Sequence, residues 1–563
     1  MSTDFTSTTE HTLSKATAPA VLAHTAAFYA AREAYVGPQE RRSWDSILRG
    51  ANSTAAALHA AGISKGDHVG ILLGNSGDWI EAFLGIASVG AVTVPINTRF
   101  KEDELRFCLK QADVRLLIFV EEFLGIDFCG TLRKAEPAID TGLPGRELPG
   151  LIKAVMVGKG APPAGAIAHD DFIAAGSHVS DDVVGKLGEA VQPDDVLLIQ
   201  YTSGTTSFPK GVMLSHASML LDAQAVAKRM GARFDDRYFS IRPFFHVAGS
   251  TLSILVSLVT GCCLLSLPKF DVAENLAVLE RERCSLISGN DTIFLMLMGH
   301  PDFDVDKLHL RGGWAAAGPE VMEQIYTRMR VPGLCNAYGL SEASPNVLLS
   351  DWNDPIELRI AGFAHPHPGI QVRLADPESD KPRSAGEQGE IQVRGWSVMQ
   401  GYYKMPEATA KTFSADGWLK TGDLGERDAE GRVRMVSRLK DLYRVGGENV
   451  APAEVEEVLH AHPSVRQAQV VGVPDARLGE VTGAFVVLKD GASASEDELI
   501  RWCKSRTANF KVPRYLAIVE TFENIGMTGS SKVQKNRLRD HAVQLWGLGA
   551  VTVAGRVVHN ASA

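Results

Sequence analysis

One short stretch of the chain combines residue types that bind phosphate. It reads YTSGTTSFPKG from Tyr201 to Gly211 and contains five small hydroxyl side chains, two glycines and one lysine. Backbone N–H groups and hydroxyls of such a loop donate hydrogen bonds to an anion, and the lysine adds a positive charge. The stretch lacks the Gly-Lys-Ser/Thr ending of a P-loop, because Lys210 follows a proline and precedes Gly211. It therefore predicts a phosphate site of another kind, with a solvated turn as the alternative.

This loop and a series of later motifs resemble those of the acyl-adenylate-forming superfamily. The superfamily includes acyl-CoA synthetases, the adenylation domains of peptide synthetases and firefly luciferase. The motifs follow one another along nearly the whole chain: TSGTT-x-x-PKG, RPFFHVAG at Arg242–Gly249, AYGLSEAS at Ala337–Ser344, GEIQVRG at Gly389–Gly395, WLKTGDLG at Trp418–Gly425, SRLKDLYRVGGENVAPAEVE at Ser437–Glu456 and SSKVQKNRLR at Ser530–Arg539. On this series the chain is identified as a member of the superfamily.

The resemblance implies an ATP-dependent carboxylic acid–CoA ligase that uses ATP, Mg²⁺ and coenzyme A. Such an enzyme forms acyl-AMP and pyrophosphate, and the thiol of coenzyme A then attacks the adenylate. Because the first step brings mutually repelling anions together, charge positioning dominates catalysis. By resemblance, the catalytic residues are Lys210, Glu342, His246 beside the acyl pocket and the adenylation lysine Lys532. Lys532 is preferred to the nearby Lys535 because Lys-Val-Gln-Lys matches the family's ending, although the proline and glycine that usually precede the lysine are absent.

The same resemblance assigns the contacts to ATP, Mg²⁺ and coenzyme A. Thr202 and Glu342 would help to bind Mg²⁺, which favours oxygen ligands. Tyr338 would stack on adenine, Ser341 would contact the α-phosphate, and Asp423 and Arg438 would contact the ribose. The full set of nucleotide contacts comprises Thr202, Ser203, Gly204, Thr205, Thr206, Lys210, Gly318, Tyr338, Gly339, Ser341, Asp423 and Arg438. Lys440 matches the hinge between the domains, and Gly446 and Gly447 would leave room for the pantetheine arm.

The order of predicted elements indicates an α/β fold with two parts. Apolar strand-like runs alternate with amphipathic helical patterns, which predicts stacked, mostly parallel sheets with helices. Period-2 segments after Gly369 predict a small antiparallel β region, and a self-contained helix and strand pattern begins near SRLKDLYRVGGEN. We therefore predict a flexible tail over residues 1–20, an N-terminal adenylate-forming domain over 21–438 and a mobile α+β domain over 439–563.

Composition excludes several partners. The formal net charge of −10 argues against binding to nucleic acid or an anionic membrane. The apolar segment from His246 to Pro268 is long enough to suggest a membrane span, but small and hydroxyl residues interrupt it. A buried helix that ends at Gly261 and continues into a buried strand is the preferred interpretation. Seven irregularly spaced cysteines without a CxxC pair predict reduced thiols in a cytoplasmic protein. The sequence leaves open whether the protein forms a homodimer.

The substrate and the acceptor thiol remain open at this level. Segments Val247–Leu252, Ser288–Phe294, Gly313–Gly318 and Ser344–Leu348 are expected to form the acyl pocket. They are mostly small or apolar and contain no obvious basic residue, which favours a largely apolar monocarboxylic acid, whether medium-chain, aryl or arylalkanoic. A free-standing adenylation enzyme that loads a carrier protein would share the same motifs, as would a luciferase-like oxygenase. A non-catalytic acyl- or nucleotide-binding relative is the remaining alternative.

Overall fold

Two large sheets and the helices packed on them form the main part of the molecule. The computed structural model describes residues 13–202, 209–384, 386–446, 448–526, 533–553 and 556–561. The strands up to residue 438 are β1 (Glu33–Val36), β2 (Arg41–Ser43), β3 (His68–Leu72), β4 (Val92–Pro95), β5 (Val114–Val120), β6 (Glu122–Phe123), β7 (Ile126–Asp127), β8 (Lys153–Val157), β9 (Ala166–Ala168), β10 (Val196–Thr202), β11 (Lys210–Ser215), β12 (Arg237–Ser240), β13 (Cys263–Leu265), β14 (Leu286–Asn290), β15 (Gly312–Ala316), β16 (Gly333–Gly339), β17 (Asn346–Leu349), β18 (Ile370–Ala375), β19 (Gly389–Gly395), β20 (Gly401–Tyr402), β21 (Leu419–Arg427) and β22 (Val433–Arg438).

The strand orders show how the two large sheets are built. Within the described ranges, the first sheet has the order β17-β16-β15-β14-β12-β13-β1-β2, and the second has the order β20-β11-β10-β4-β3-β5-β8-β9. Neighbouring strands run parallel from β16 to β1 and from β10 to β9. Antiparallel strands close the other edges. The predicted α/β class with stacked, mostly parallel sheets is confirmed.

Helices cover both large sheets and bury the strands between them. The helices are α1 (Ala18–Tyr29), α2 (Trp44–Ala60), α3 (Gly77–Ser88), α4 (Glu102–Gln111), α5 (Phe128–Ala135), α6 (His169–Ala175), α7 (Asp181–Glu189), α8 (His216–Arg229), α9 (Val247–Gly249), α10 (Val256–Thr260), α11 (Val272–Arg281), α12 (Asp291–Gly299), α13 (Pro319–Thr327), α14 (Ile356–Ala361), α15 (Pro406–Thr412), α16 (Pro452–His460), α17 (Glu496–Lys504), α18 (Glu523–Gly526) and α19 (Lys535–Leu545). One apolar core joins residues of both large sheets with residues of α2, α3, α8 and α10. Strands such as β3 and β4 are therefore buried on both faces, which explains their nearly continuous apolar sequences.

The segment from His246 to Pro268 folds as its sequence predicted. It forms α9, a π-helical turn at Ser250–Leu255 and α10, then turns at Gly261 with a φ of 74° and continues into β13. Glycine suits this left-handed position because it has no Cβ, and the break ends the helix where the strand must begin. In the described part of the chain, no helix is both long enough and apolar enough to cross a membrane.

Two smaller sheets follow the large ones in the sequence. Strands β18, β19, β21 and β22 form the antiparallel region predicted after Gly369. Beyond residue 438 the strands are β23 (Tyr443–Val445), β24 (Glu448–Val450), β25 (Val465–Asp475), β26 (Gly479–Leu488), β27 (Tyr515–Ile518), β28 (Leu548–Val553) and β29 (Arg556–Ala561). Strands β23 to β27 share one sheet, and with α16, α17 and α19 they enclose an apolar core of their own.

The chain passes from one sheet to the next directly after Arg438. A 3₁₀ turn at Leu439–Asp441 separates β22 from β23, which belong to different sheets. The domain limits drawn at 438 and 439 stay a prediction. Residues 13–20 differ from the predicted tail, because Leu13 is fully buried and α1 already begins at Ala18. The side chains of Leu13 and Ala18 are apolar and pack into the large core. Residues 1–12 lie outside the described ranges.

Candidate active site

The phosphate loop is carried by a β-hairpin at the edge of the second sheet. Strands β10 and β11 pair antiparallel, with Thr202 opposite Lys210 at the end of the ladder, and the Thr202 hydroxyl donates to the Lys210 carbonyl at 3.5 Å. The predicted loop contacts Ser203, Gly204, Thr205 and Thr206 fall outside the described residues. The two hairpin ends therefore fix where the loop leaves and re-enters the sheet.

Lys210 and Glu342 meet at a tyrosine that comes from a third segment. The Lys210 ammonium lies 4.9 Å from the centroid of the Tyr402 ring. The Tyr402 hydroxyl donates to Glu342 Oε1 at 2.8 Å, and the backbone N–H of Met399 donates to the Glu342 carbonyl. Burial, together with the Glu342 carboxylate, raises the pKa of the Tyr402 hydroxyl above its usual value. Tyr402 reaches this position because β20 pairs with β11.

A second group of predicted residues gathers where β16 approaches the antiparallel sheet. The Tyr338 hydroxyl donates to Asp423 Oδ2 at 2.9 Å, and burial raises the pKa of that hydroxyl above its usual value. Asp423 and Arg438 are register partners on β21 and β22, and Arg438 Nε lies 3.5 Å from Asp423 Oδ1. Three motifs that are far apart in sequence thus place a tyrosine, a carboxylate and a guanidinium together.

The turn between these two groups is tightly packed. Gly339 ends β16, and a Cβ at this position would lie 2.0 Å from the Pro345 carbonyl oxygen, so only glycine fits without a backbone shift. The next residues form a 3₁₀ turn at Ser341–Ala343, which contains Ser341 and Glu342. The short turn connects the Tyr338 group to the Glu342 group and brings the predicted ATP contacts to one place.

The predicted adenine loop precedes α13. The Gly318 N–H donates to Asp291 Oδ1 at 2.9 Å, and burial raises the pKa of the Asp291 carboxyl to about 6. The Asn336 side-chain amide donates to the Ala317 carbonyl at 3.1 Å. Asp291, the first residue of α12, and Asn336 on β16 therefore hold this loop at Gly318 and at the residue before it.

His246 lies at the start of α9, close to the end of β10. Its side chain is exposed, and its Nδ1 accepts a hydrogen bond from the Ala248 N–H. The neighbouring carbonyl of Phe245 accepts from Gln200 Nε2 at 3.1 Å, and Gln200 lies two residues before Thr202. His246 is thereby tied to the strand that carries the phosphate loop, and its position beside an acyl pocket stays a prediction.

The remaining predicted residues belong to the C-terminal part. Lys440 is exposed on the 3₁₀ turn after Arg438, and Gly446 has a φ of 59° with its N–H bonded to the Leu478 carbonyl. Gly447 and Lys532 lie outside the described residues. Lys535, the alternative adenylation lysine, begins α19, forms an ion pair with Glu456 and donates to the Val470 carbonyl at 2.8 Å.

Sequence reasoning missed three residues that the fold brings to this region. Tyr402 lies in the stretch MQGYY shortly after GEIQVRG, and Asn336 directly precedes AYGLSEAS, so proximity to a motif was the available signal. Arg242 opens the RPFFHVAG motif, and its side chain lies over the Trp314 ring at 5.4 Å from the centroid. Charge alone could have drawn attention to Arg242, but its burial is visible only in the structure.

The sequence matches one enzyme family over most of its length. Residues 22–403 match the AMP-binding enzyme family, and residues 454–532 match the AMP-binding enzyme C-terminal domain. Together the two matches include the phosphate loop, Glu342 and Lys532. They leave out the segment that contains Asp423, Arg438 and Lys440.

Individual relatives and solved structures are similar over nearly the whole chain. A Rhodococcus jostii (strain RHA1) propanoyl:CoA ligase, whose acid carries a 7a-methyl-1,5-dioxo-octahydro-1H-inden-4-yl group, is 37% identical over 490 residues, covering 86% of this chain and 91% of the relative. The mitochondrial medium-chain acyl-CoA ligase ACSF2 of Danio rerio is 31% identical over 551 residues, covering 96% and 90%. The crystal structure of the anthranilate CoA ligase AuaEII in complex with anthranoyl-AMP has a TM-score of 0.83 at 25% identity, covering 95% and 98%. The chain therefore belongs to the AMP-binding enzyme family, as its motifs predicted, and it has the fold of adenylate-forming enzymes.

Proposed function

We propose that the protein is an ATP-dependent carboxylic acid–CoA ligase, which forms acyl-AMP and pyrophosphate and then the acyl-CoA thioester. The observation that carries the proposal is the meeting of two residue groups around the turn that follows β16. One group, Tyr338 with Asp423, suits a nucleoside, and the other, Lys210 with Glu342, suits the phosphates and their counter-ion. Family membership and the names of the relatives support the same reaction.

The group that contains Lys210 and Glu342 suits a bound magnesium ion in addition to its own lysine. Glu342 and Thr202 offer hard oxygen ligands, the kind that Mg²⁺ prefers. Among the described residues, no three or more His, Cys, Asp and Glu side chains form a metal site, so phosphate oxygens and water would complete the coordination. Bound there, Mg²⁺ would neutralise negative charge on the phosphates. Lys210 over the Tyr402 ring would supply the second positive charge, and the Tyr402 hydroxyl would orient the Glu342 carboxylate.

The nucleoside end supports binding of ATP through the ribose and the adenine. A buried carboxylate such as Asp423 can accept hydrogen bonds from two vicinal hydroxyls, and these bonds are strong because the acceptor is charged. Arg438 on the neighbouring strand would hold that carboxylate ionised and contact the same nucleotide. Tyr338 and the loop that ends at Gly318 would enclose the base, with Asp291 and Asn336 as positioning residues.

The acid is proposed to be largely apolar, and coenzyme A is proposed as the acceptor. The relatives named above act on a medium-chain acid or on an acid with a fused-ring group, and the similar crystal structure contains an aryl adenylate. A carrier protein as acceptor is the second candidate. We also propose that the protein acts in the cytoplasm, because all seven cysteines are buried and free, as expected of a reducing compartment.

A screen of acids tests the proposed reaction directly. The purified protein would be incubated with ATP, Mg²⁺ and each of a set of medium-chain, aryl and arylalkanoic acids, with and without coenzyme A. We expect pyrophosphate and AMP to appear together with an acyl-CoA thioester, and removal of Mg²⁺ with a chelator to stop pyrophosphate release. Pyrophosphate release without any thioester from coenzyme A would favour the carrier-protein alternative, and absence of both products for every acid would refute the ligase proposal.

Replacing Asp423 by asparagine should weaken the use of ATP specifically. Asparagine keeps the shape but replaces one acceptor oxygen by an NH₂ donor and loses the charge, so one accepted hydrogen bond is lost and the other becomes weaker. We expect kcat/KM for ATP to fall by about 10- to 100-fold, the range for a lost charge-assisted hydrogen bond. Steady-state kinetics with ATP varied at a saturating acid concentration would measure the change.

Asp416→Asn provides the matched control for Asp423→Asn. Asp416 is paired with Arg373 at an exposed position of the same antiparallel region, away from the proposed nucleotide contacts. Its loss should leave kcat/KM for ATP within about twofold of the parent, since exposed ion pairs contribute little. Equal kinetics of Asp423→Asn and the parent enzyme would contradict the ribose assignment.

A further inference from the structure

One face of the first sheet carries a buried layer of polar side chains. Ser240, Ser288 and Trp314 are register partners on the adjacent strands β12, β14 and β15. The Ser288 hydroxyl donates to Ser240 Oγ at 2.9 Å, and Ser240 and Ser253 share a hydrogen bond of 2.7 Å. Next to them, Trp314 Nε1 donates to the Tyr238 hydroxyl at 2.9 Å. We call Tyr238, Ser240, Ser253, Ser288 and Trp314 the polar layer.

The polar layer faces the helical segment that begins at α9. The Tyr238 hydroxyl donates to the Leu252 carbonyl, and the Ser253 hydroxyl donates to the Ala248 carbonyl, both at 2.9 Å. These carbonyls belong to the segment from Val247 to Thr260, whose π-helical turn lies opposite the sheet.

A buried arginine lies at the end of the polar layer without an acidic partner. Arg242 is 9% exposed, and its guanidinium lies over the Trp314 ring at 5.4 Å from the centroid. Its Nε is buried and has no hydrogen-bond partner, and no carboxylate among the described residues lies within ion-pair distance of it. Burial lowers the pKa of the guanidinium to about 10, which leaves it charged at neutral pH.

A buried arginine without an acidic partner is expected to bind a ligand. A buried charge without a partner costs several kcal/mol, so buried cations are normally paired with an acceptor. The other strongly buried arginine beside this sheet, Arg359, also has an Nε without a partner, but it follows that rule through Nη1, which donates to the Pro332 and Leu334 carbonyls. Arg242 does not, although its backbone is fixed by the Asn75 side chain, which donates to the Arg242 carbonyl at 3.0 Å. Its side chain contacts the Trp314 ring, and a ligand with an acceptor oxygen would satisfy its donors.

The location of Arg242 separates this group from ATP. The proposed ATP contacts lie at the ends of β10 and β16 and on β21, whereas Arg242 follows β12 and contacts β15 through Trp314. Arg242 lies just outside the segments that sequence reasoning assigned to the acyl pocket, and it adds a cation to a wall expected to be uncharged. The Rhodococcus jostii relative is named for an acid with two oxo groups, which shows that oxygen-bearing acyl groups occur among the relatives.

We propose that Arg242, at the end of the polar layer, binds an acceptor oxygen on the acyl part of the substrate, away from the carboxylate that reacts. This inference rests on the proposed ligase function and narrows its substrate class to acids that carry an oxo group or a second carboxylate along an otherwise apolar chain. The planar guanidinium suits either oxygen because it donates several parallel hydrogen bonds.

The test compares acids that differ only in a remote oxygen. The parent enzyme and Arg242→Met would be assayed for acyl-CoA formation with octanoate, the series of oxo-octanoates from the 3- to the 7-position, and octanedioate. We expect the parent to prefer at least one oxygen-bearing acid over octanoate. In Arg242→Met, kcat/KM for that acid should fall by about 10- to 100-fold while octanoate changes little. The identity of the preferred acid distinguishes the oxo group from the second carboxylate.

Two controls separate recognition from folding. Octanoate turnover by Arg242→Met reports on the integrity of the same active site in the same sample. Arg311→Met removes a partly buried arginine near the other end of this sheet, where it pairs with Asp236, and should leave the ratio between acids unchanged. Arg242→Lys should recover part of the preference, because lysine keeps the charge but not the planar fork.

Different assay results would contradict the role of Arg242 and the ligase function. Equal losses for octanoate and for every oxygen-bearing acid would show that Arg242 acts on the reacting carboxylate or on folding. An unchanged ratio between acids in Arg242→Met would also overturn it. Absence of acyl-CoA from all acids with the parent enzyme would instead refute the proposed function itself.

Discussion

Lys532→Ala should abolish most of the adenylation activity while leaving the second half-reaction largely intact. By resemblance, Lys532 bridges the substrate carboxylate and the α-phosphate, and only adenylation brings these two anions together. We expect acyl-AMP formation to slow by about 10²–10³, the scale for the loss of one preorganised electrostatic partner. Pyrophosphate release would measure the first step, and thioester formation from chemically prepared acyl-AMP would measure the second.

Lys535→Ala is the informative control for Lys532→Ala, because the two lysines lie three residues apart. Lys535 is held within the C-terminal part by its ion pair with Glu456 and its bond to the Val470 carbonyl. Its removal leaves a partly buried carboxylate without its cation, so we expect the free energy of unfolding to fall by about 1–3 kcal/mol. Both half-reactions of the folded enzyme should persist. A selective loss of adenylation in Lys535→Ala, with normal adenylation in Lys532→Ala, would show that the motif is misaligned.

The secondary structure was predictable where local signals agreed with the tertiary packing. The apolar run that ends at Gly261 predicted a helix, a break and a strand, because a glycine in the left-handed region stops a helix. The strand and helix pattern after residue 464 likewise matches β25, β26 and α17. In these segments propensity, periodicity and turn chemistry favour the same structure, which makes local prediction reliable.

Which residues come together in the site depends more on long-range packing than the secondary structure does. Tyr338 and Asp423 belong to separate motifs, and no sequence rule states that their side chains meet at 2.9 Å. Tyr402 contacts Glu342 because a two-residue strand adds to the edge of the second sheet, an interaction too short to leave a periodic signal. The burial of Arg242 involves packing against Trp314 on β15, which the RPFFHVAG motif alone does not reveal.

The second large effect concerns the link between the two parts of the molecule. Lys440 is exposed on the 3₁₀ turn that joins β22 to β23, and these strands belong to different sheets. Where α16 approaches the N-terminal part, Asp291 and Glu320 have pKa values raised to about 6 and about 7 by burial, with contributions from the carboxylates of Glu456 and Glu457. Repulsion between these carboxylates would weaken the contact between α16 and the N-terminal part, and we expect the C-terminal part to change orientation between half-reactions.

Lys440→Pro should therefore separate adenylation from thioester formation. Proline fixes φ near −65° and disfavours helical geometry at the preceding residue, so it restricts rotation about this turn. By resemblance to the superfamily, the adenylate is expected to form before the C-terminal part rotates. We expect pyrophosphate release to persist and thioester formation to fall by more than about tenfold, which corresponds to about 1.4 kcal/mol in the barrier of the limiting step. Single-turnover measurements of acyl-AMP and of acyl-CoA on the same enzyme sample would follow the two steps separately.

Lys440→Ala decides whether the backbone or the charge of this residue matters. Alanine removes the ammonium group but leaves φ free, so a hinge should rotate almost normally and both half-reactions should stay within a few-fold of the parent. Thermal unfolding of both variants would show whether either substitution acts through stability. Because Lys440 is exposed, we expect a smaller effect on stability than from a substitution in the core. If alanine and proline damaged both half-reactions equally, Lys440 would act through its charge or through folding. Proline should separate the two half-reactions only if the C-terminal part must rotate about the backbone of this turn between them.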